Sequence, residues 1–376
     1  MALKIAEAEV YSLRLPFQEE FRISRGSVGD LEAGAPHIYL RLRGDNGLEG
    51  WGEARPSHRW SYETEESVLT TLRGYLLPAA QGLADLWDRE ALARAMDTEV
   101  APGVSHGMPI AKCALDMAVH DLLAKTAGVP LNRFLGGGSR RRVDLTYLIS
   151  VTDARAAAEK AAVAWEAGYR GFKVKIGMAP AQDLEILGAV RETCPTAYLW
   201  TDANQAYDPA TAIAQCRRME GLDVACYEQP VPANDWTGLR RVTQNTCIPI
   251  AADESVFSAR DLIQLIRLEA LDMLVLKLSK MGGVGPASFC ARIAVEAGIP
   301  LLGSGLTESR LGLAASAHVY SRFASLLYAD LNGPQFLRDD PVRGVEAAAG
   351  SVLLSEAAGI GAGVDEAGLA RFRRRE

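Results

Sequence analysis

Two lysines and three acids recur between residues 175 and 277 at intervals of 24 to 27 residues. They are Lys175, Asp202, Glu228, Asp253 and Lys277. Each closes a short β-rich run, which predicts that each lies at the C-terminal end of a strand. Charged side chains are rarely buried without partners, so five of them in register predict one shared polar site.

The three acids of this series predict a metal site. Asp202, Glu228 and Asp253 come from adjacent predicted strands, which lie about 4.8 Å apart, so their carboxylates converge. Three neighbouring anions require a cation, and oxygen ligands without histidine or cysteine favour Mg²⁺, with Mn²⁺ as a permissible substitute. Three protein ligands leave about three octahedral positions open. We therefore expect a catalytic metal that binds a small carboxylate substrate.

The lysines of the series predict acid–base chemistry. Lys173 and Lys175 are two residues apart on one predicted strand, so they share a face. Lys277 follows the last acid and, by strand order, stands across the site from Lys175. One lysine on each side of a substrate α-carbon can remove a proton from one face and supply one to the other. The predicted reaction is proton transfer next to a carboxylate, through a metal-stabilised enolate.

These residues need elements that bring strand ends together, and such elements begin near residue 140. Short β-rich runs alternate there with alanine-rich helical stretches. The predicted strands are Val143–Ser150, Phe172–Ile176, Ala197–Asp202, Ala225–Glu228, Pro249–Asp253, Met273–Lys277, Pro300–Gly303 and Leu326–Asp330. Eight strands with intervening helices predict a (β/α) barrel, a modified TIM barrel with its active site at the strand C-termini. No G-x-G-x-x-G follows the first strand, which argues against an open doubly wound sheet.

The rest of the chain predicts a cap on this barrel. Residues 1–130 combine strands around an Asn46-Gly47 hairpin signal with a later alanine-rich helix. We expect an α+β capping domain over residues 1–130, the catalytic barrel over 131–343, and a C-terminal segment, 344–376, that returns to the cap. The fold class is thus α/β, with an α+β cap formed by both ends of the chain.

Composition excludes several classes of protein. With 48% hydrophobic and 23% charged residues, the 376-residue chain has the proportions of a soluble globular protein. A formal net charge of −7 gives no basic footprint for nucleic acid. No apolar run reaches the ~20 residues that span a bilayer, and no secretory leader is visible. Six scattered cysteines predict free thiols, so we expect a cytoplasmic protein without nucleic-acid or membrane partners.

The ordered set of charged residues resembles the enolase superfamily, and within it the muconate-lactonizing subgroup. The segments that carry this resemblance are Lys173-Val174-Lys175, Asp202-Ala203-Asn204, Glu228-Gln229-Pro230, Asp253-Glu254-Ser255 and Lys277, with Gly50-Trp51-Gly52-Glu53 before them. The resemblance implies that Lys175 and Lys277 are the acid–base pair and that Lys173 assists. It also implies that the three acids bind Mg²⁺, that Asn204 and Glu254 support them, and that the protein is a homo-oligomer.

The resemblance leaves the substrate contacts open. Glu308 lies in a segment after the seventh strand that is similar both to muconate cycloisomerases and to dipeptide epimerases. At the eighth strand, Asp330 and Asn332 resemble the Asp-x-Asp pair with which dipeptide epimerases bind a substrate ammonium, except that the second acid is an asparagine. Trp60 and Tyr62 lie in a predicted cap loop over the mouth. These five residues are our candidate substrate contacts.

Two reactions and one binding function fit these residues. We favour a muconate-type cycloisomerase, in which a lysine protonates the enolate formed by lactone closure. The alternative is a racemase or epimerase of N-acyl amino acids or dipeptides that uses both lysines. A non-catalytic, metal-stabilised binding module is the third, although binding alone needs no base on each face. We expect Asp330 to turn away into a salt bridge at the barrel rim; an inward Asp330 would favour the amino-acid substrates.

Overall fold

The structure, a computed structural model, describes residues 2–29, 31–138 and 140–374. The outer bounds of the predicted domains, residues 1 and 376, lie outside this range. The elements that cover the barrel are β1 (Ile5–Leu15), β2 (Phe21–Ile23), β3 (Gly26–Gly29), β4 (Ala35–Gly44), β5 (Glu49–Ala54), α1 (Glu65–Thr71), α2 (Leu77–Gln81), α3 (Arg89–Glu99), α4 (Pro109–Thr126) and α5 (Leu131–Phe134). We call this part the cap. Its sheet is antiparallel in the order β1-β4-β5, and β2 and β3 form a separate hairpin.

Helix α4 lies close against β5 because two glycines leave room for its backbone. A Cβ atom on Gly52 would lie 1.9 Å from the carbonyl oxygen of Ala114, and one on Gly50 would lie 2.1 Å from that of Ala118. Any side chain at either position would therefore separate the helix from the sheet. This contact explains the two glycines of the Gly50-Trp51-Gly52-Glu53 segment.

Eight parallel strands, each followed by a helix, form the barrel, and one further short strand precedes them in the chain. The elements in chain order are β6 (Arg142–Asp144), β7 (Thr146–Ile149), α6 (Ala154–Glu166), β8 (Gly171–Lys175), α7 (Pro180–Thr193), β9 (Tyr198–Asp202), α8 (Pro209–Met219), β10 (Val224–Glu228), α9 (Trp236–Thr243), β11 (Ile250–Ala252), α10 (Ala259–Arg267), β12 (Met273–Leu276), α11 (Leu278–Met281), α12 (Val284–Glu296), β13 (Leu301–Ser304), α13 (Arg310–Tyr320), β14 (Leu326–Asp330) and α14 (Gly333–Phe336). Strands β7 to β14 are neighbours in sequence order. A parallel bridge between Leu145 and Ala329 joins the last strand to the first. The predicted barrel with its α+β cap is therefore confirmed.

The largest departure from the predicted strands concerns the first one, Val143–Ser150. It consists of two strands, of which only β7 belongs to the barrel, whereas β6 pairs antiparallel with a C-terminal strand, Ser351–Leu353. Both pieces are β-rich, so the sequence pattern contained no sign of the division. Asp253 and Lys277 also differ slightly from the prediction, because each follows its strand by one residue.

A layer of apolar side chains closes the barrel beneath the charged strand ends. The buried cluster consists of Trp200, Cys226, Ala251, Val275 and Leu302. Four of its members precede by two residues the acids and the lysine of the predicted site, so they point to the same inner face. The charged groups therefore stand on a dry, packed support.

The C-terminal segment contacts both parts of the molecule. Its elements are β15 (Val342–Arg343), β16 (Glu346–Ala348), β17 (Ser351–Leu353), β18 (Gly363–Val364) and α15 (Glu366–Phe372). Strand β17 pairs with β6, whereas the backbone N–H of Arg374, just after α15, donates to the carbonyl oxygen of Ser12 in β1 (2.9 Å). No helix of the described residues is long and apolar enough to cross a membrane. All six cysteines are free thiols, and only Cys247 is exposed.

Candidate active site

The five charged residues of the sequence series meet at one end of the barrel because the strand register aligns them. Lys175 on β8 is the register partner of Asp202 on β9, and Asp202 is the partner of Glu228 on β10. Asp253 and Lys277 come directly after β11 and β12. All five therefore lie at the C-terminal mouth, where the loops of a (β/α) barrel form its cavity.

Lys173 is completely buried among the carboxylates. Its Nζ atom lies 2.8 Å from Oε2 of Glu228 and 3.2 Å from Oδ2 of both Asp202 and Asp330. The ring of Trp200 lies beneath the ammonium, 4.3 Å from Nζ. Burial alone lowers the pKa of Lys173, but the surrounding carboxylates outweigh it and raise this pKa well above its ordinary value. Lys173 is therefore a fixed positive charge at the centre of the site.

The predicted acid–base lysines stand on opposite sides of the mouth. Four of the eight strand steps around the barrel separate β8, which carries Lys175, from β12, which precedes Lys277. Lys175 donates to Oδ2 of Asp202 (2.6 Å) and to Oδ1 of Asn204 (2.8 Å). Lys277 donates to Oδ2 of Asp253, whose charge raises the pKa of this lysine against the effect of burial. Each lysine is thus anchored to one of the outer acids.

The three acids differ in how their charge is compensated. Burial raises the pKa of Asp202 and Asp253, but the neighbouring lysines outweigh it, so that the pKa of Asp202 falls to about 2 and that of Asp253 is also lowered. Glu228 differs, because neither of its carboxylate oxygens has a hydrogen-bond partner, although Lys173 lies within ion-pair distance. Burial and the charge of Asp202 raise the pKa of Glu228 well above its ordinary value. Glu228, whose only ion pair is with Lys173, is therefore the least compensated of the three.

The donor set fits a hard divalent cation. Carboxylate oxygens are the ligands that Mg²⁺ prefers, and the orphaned oxygens of Glu228 are buried between Asp202 and Asp253. As the side chains stand, no group of three or more acids, histidines or cysteines in the described part of the chain is arranged to hold a metal. Lys175 and Lys277 account for this, because they pair with the outer acids. A cation at the site would displace those two contacts.

Two buried residues that the sequence analysis missed hold Asp253. Nζ of Lys280 donates to Oδ1 (2.9 Å) and to the backbone oxygen (2.7 Å) of Asp253. Oε1 of Gln229 accepts the backbone N–H groups of Asp253 (3.0 Å) and Ser255 (3.1 Å). Burial lowers the pKa of Lys280. The only sequence signal for Lys280 was the spacing Lys277-x-x-Lys280. This spacing does not show that the short helix α11 directs the Lys280 side chain toward Asp253.

Asn204 and Glu254, predicted to support the acids, are connected to each other. The backbone N–H of Asn204 donates to Oδ1 of Asp202 (2.8 Å), and its side-chain amide donates to Oε1 of Glu254 (3.0 Å). The backbone of Asn204 has a φ of +43°, and that of Gln229 has a φ of +37°. Such angles are unfavourable for residues with side chains and persist where surrounding contacts enforce them, as at functional sites.

A narrow cavity of about 30 Å³ lies between the barrel mouth and the cap. The residues that line it are Phe21, Ile23, Val28, Ser57 and Trp60 from the cap, and Lys173, Lys175, Lys277, Gly305, Leu306, Thr307, Asp330 and Asn332 from the barrel. Three of the five candidate substrate contacts, Trp60, Asp330 and Asn332, are among them. The three lysines of the sequence analysis share the same cavity.

The expectation that Asp330 turns away from the site is wrong. Its Oδ2 atom lies 3.2 Å from Lys173, which draws the carboxylate inward instead of leaving it in a salt bridge at the rim. Its Oδ1 atom is buried without a hydrogen-bond partner, and so is Oδ1 of Asn332. Two buried acceptor oxygens at the end of the eighth strand are therefore left without a donor.

Tyr62 and Glu308 do not line the cavity. The Tyr62 side chain is 43% exposed, and its hydroxyl accepts the backbone N–H of Met108 (3.2 Å). Glu308 accepts the backbone N–H of Leu306 in its own loop, and burial raises the pKa of this carboxyl. Substrate contact by these two residues remains a prediction that the cavity does not support.

Each of the two outer lysines faces an aromatic ring of the cap. Nζ of Lys277 lies 4.4 Å from the ring centre of Trp60, which packs on Phe257 of the barrel at 5.8 Å. Nζ of Lys175 lies 5.8 Å from the ring centre of Phe21. An ammonium over an aromatic face is attracted by the ring electrons. The cap thus closes the site directly above both lysines.

Glu53 fastens the cap to the barrel. This buried carboxylate, at the end of β5, accepts the backbone N–H groups of Ser309 (2.9 Å) and Gly312 (2.8 Å) and the hydroxyl of Ser309 (2.7 Å). On the cap side it pairs with Nδ1 of His37 (2.6 Å). An acid at the start of α13 satisfies free N–H groups and the helix dipole, so it stabilises the docking of the two parts.

Comparison with known proteins agrees with this geometry. The family model described as "Enolase C-terminal domain-like" matches residues 156–368. A second model, for the N-terminal domain of the mandelate racemase / muconate lactonizing enzyme family, matches residues 6–136. Together the two models cover most of the cap and of the barrel.

The relatives differ from one another in the reaction that they catalyse. An N-succinyl-L-Arg/Lys racemase of Bacillus cereus is 32% identical over 340 residues, which are 90% of this chain and 89% of the relative. A chloromuconate cycloisomerase of Cupriavidus necator is 35% identical over 301 residues, 78% of this chain and 79% of the relative. The crystal structure of a dipeptide epimerase of Cytophaga hutchinsonii, complexed with Mg and D-Ala-L-Val, has a TM-score of 0.91 at 30% identity and covers 99% of both chains. Since both domain models match and the lysines and acids occupy the mouth in the predicted order, the chain belongs to the muconate-lactonizing subgroup of the enolase superfamily and is an isomerase.

Proposed function

We propose that this isomerase is a Mg²⁺-dependent racemase or epimerase of amino-acid derivatives, such as N-acyl amino acids or dipeptides. The observation that carries the proposal is the inward position of Asp330, which lines the cavity beside Asn332, each with a buried Oδ1 that has no hydrogen-bond partner. These acceptors suit the N–H donors of an amide or ammonium group. Muconate has no such donor, and Asp330 would repel its second carboxylate.

The two outer lysines supply the proton transfers. A substrate α-carbon held between Lys175 and Lys277 presents one face to each ammonium or amine group. The deprotonated lysine accepts the α-proton on its face, and the protonated lysine donates a proton to the opposite face, which inverts the centre. In the reverse reaction the two lysines exchange the roles of base and acid, so both are needed for turnover in either direction.

The inner charges hold the substrate carboxylate and the electrons left by the proton. Asp202, Glu228 and Asp253 would hold Mg²⁺, which supplies positive charge to the carboxylate and so makes the α-proton more acidic. The buried ammonium of Lys173 adds a fixed positive charge beside Glu228. Such preorganised charge lowers the cost of the enolate because it needs no rearrangement during the reaction.

The direct test compares two substrate classes. N-acyl amino acids and dipeptides are incubated with the protein and Mg²⁺ in D₂O, and ¹H NMR follows the loss of the α-proton signal. In parallel, absorbance follows the conversion of cis,cis-muconate to lactone. We expect α-proton exchange and inversion of the amino-acid derivatives and no lactone. Lactone without exchange would instead establish the cycloisomerase that the sequence favoured, and no turnover of either class would favour a binding module.

A further inference from the structure

The cap contributes an uncharged wall to the cavity, which we call the roof. It consists of Phe21, Ile23, Val28, Ser57 and Trp60. Among the cap residues that the structure describes, none of those lining the cavity carries a charge. Three of the five, two aromatic and one aliphatic, are buried, and the two aromatic rings lie over the outer lysines. A group that reaches the roof therefore meets apolar surface.

The arginines closest in sequence to the roof are engaged elsewhere. Arg22 pairs with a glutamate of its own loop (2.9 Å), and Arg25 donates to Oε1 of Gln205 on the outer rim (3.1 Å). Arg59 donates to the backbone oxygen of Ser27 (3.0 Å). These three arginines are exposed. Arg55, two residues before Ser57, is instead buried and donates to the backbone oxygens of Val28 (2.8 Å) and Pro56. None of the four lines the cavity. The roof thus offers no cation to an acidic substrate group.

The geometry of proton transfer decides which substrate group meets the roof. The enolate is planar at the α-carbon, so the two lysines lie above and below one plane that contains the other three substituents. The carboxylate would point to Lys173 and to the cation that the three acids would hold, and the nitrogen would point to Asp330 and Asn332 at the end of the eighth strand. The remaining in-plane direction, left for the α-side chain, leads to the cap.

We infer that the substrate of this site, on the proposed function, carries an apolar α-side chain, and that Phe21, Ile23 and Trp60 select it. A charged side chain would lose its hydration at the roof without gaining a partner, whereas an apolar one gains free energy from burial. Apolar contact is also non-directional. The same roof therefore serves both enantiomers, as a racemase or epimerase requires.

The test measures binding rather than turnover. Isothermal titration in excess Mg²⁺ compares N-acetyl derivatives in isosteric pairs, leucine against aspartate and norleucine against ornithine. We expect the apolar member of each pair to bind roughly 10- to 100-fold more tightly, the range that burial of one aliphatic side chain supports. Equal or tighter binding of the charged members would overturn the inference.

Variants of the roof provide the matched comparison. Ile23→Arg places a cation at the roof and should shift the preference toward N-acetyl-aspartate by at least about tenfold. Val28→Arg, at a half-buried position, makes the same test if the first variant does not fold. Val163→Arg, at a position on α6 that is 65% exposed, adds the same charge outside the cavity and should change nothing. An unchanged preference in both roof variants would contradict the assignment of the roof.

Binding and turnover separate the two proposals. Apolar preference in binding without any α-proton exchange would support the selection by the roof and refute the proposed racemase. If the α-protons of charged and apolar derivatives exchange with equal efficiency, the result would support the racemase and refute the selection of apolar side chains by the roof.

Discussion

The two walls of the cavity differ in how they use charge. On the barrel side, Lys173, Lys175, Lys277 and Asp330 are ionisable groups held by one another and by the three acids. On the cap side, the described lining residues carry no charge and come from a hairpin and a loop. Strands in fixed register can place opposite charges within ångströms, which the proton transfers require, whereas selection of a side chain needs only shape and apolar surface. The difference assigns chemistry to the barrel and selectivity to the cap.

Among the substitutions considered, removal of either outer lysine should lower turnover the most. We expect Lys175→Ala and Lys277→Ala each to lower the turnover of amino-acid derivatives by about 10²–10⁴, because each lysine serves one face of the α-carbon. The surviving lysine should still exchange the α-proton of one enantiomer, which ¹H NMR in D₂O on separate enantiomers detects. Lys4→Ala, an exposed cap residue, is the control. Near-native rates in both lysine variants would refute the acid–base assignment.

Glu228 tests whether the barrel charges are arranged around a metal. We expect Glu228→Gln to abolish Mg²⁺ binding, measured by titration with the metal alone, and to abolish turnover. The fold should persist, because Lys173, the ion-pair partner of Glu228, keeps Asp202 and Asp330, and the apolar layer beneath is unchanged. Circular dichroism and the urea midpoint monitor the fold. Full activity of the parent protein in excess EDTA would contradict metal dependence altogether.

Asp330 tests the comparison between the two walls, because it is a charge on the barrel side that we expect to affect which substrate binds, as the roof does. Asp330→Asn keeps the shape of the side chain but removes the charge that attracts a substrate N–H. We expect kcat/KM for amino-acid derivatives to fall roughly 10- to 100-fold, the value of one hydrogen bond to a charged group. Part of the loss should appear in KM. A gain of muconate turnover in this variant would show that Asp330 had excluded a dicarboxylate substrate.

The sequence predicted the barrel side better than the cap side, and the reason is periodicity. A strand-plus-helix repeat placed Lys175, Asp202 and Glu228 at the same level, and the register confirms that alignment. Lys280 escaped prediction because its contact with Asp253 depends on the direction of a short helix after the strand. The inward turn of Asp330 depends on an ion pair with a residue two strands away, which no local pattern encodes.

In the cap loop before α1, by contrast, the sequence could not predict which residues face the cavity. Trp60 and Tyr62 are two residues apart and were equally plausible substrate contacts, but only Trp60 lines the cavity. A loop has no repeat that assigns alternate residues to alternate faces. The outcome is set by tertiary contacts, with Trp60 over Lys277 and the hydroxyl of Tyr62 bound to the backbone of Met108.

The smallest effect on turnover is expected at Glu63, which anchors this same loop. Its carboxyl oxygens accept the backbone N–H groups of Ile110 (2.8 Å) and Ala111 (3.0 Å) at the start of α4, and burial raises its pKa from 4.5 to about 7. Because the folded-state pKa lies above the unfolded value, the stabilisation is complete below about pH 4.5 and is lost as the pH rises through 7. The free energy of unfolding should therefore fall between pH 5 and pH 8, by no more than about 3 kcal/mol from this group.

Glu63→Gln separates this contribution from those of other titrating groups. Glutamine cannot ionise, so urea unfolding at pH 5, 6, 7 and 8 should give a flatter dependence for the variant than for the parent protein. The roof keeps its side chains, so the ratio of N-acetyl-leucine to N-acetyl-aspartate affinity should stay the same. Parallel pH curves for the two proteins would show that Glu63 does not titrate in this range. A changed ratio would show instead that the anchoring of the cap loop, and not its side chains alone, determines which substrate the barrel receives.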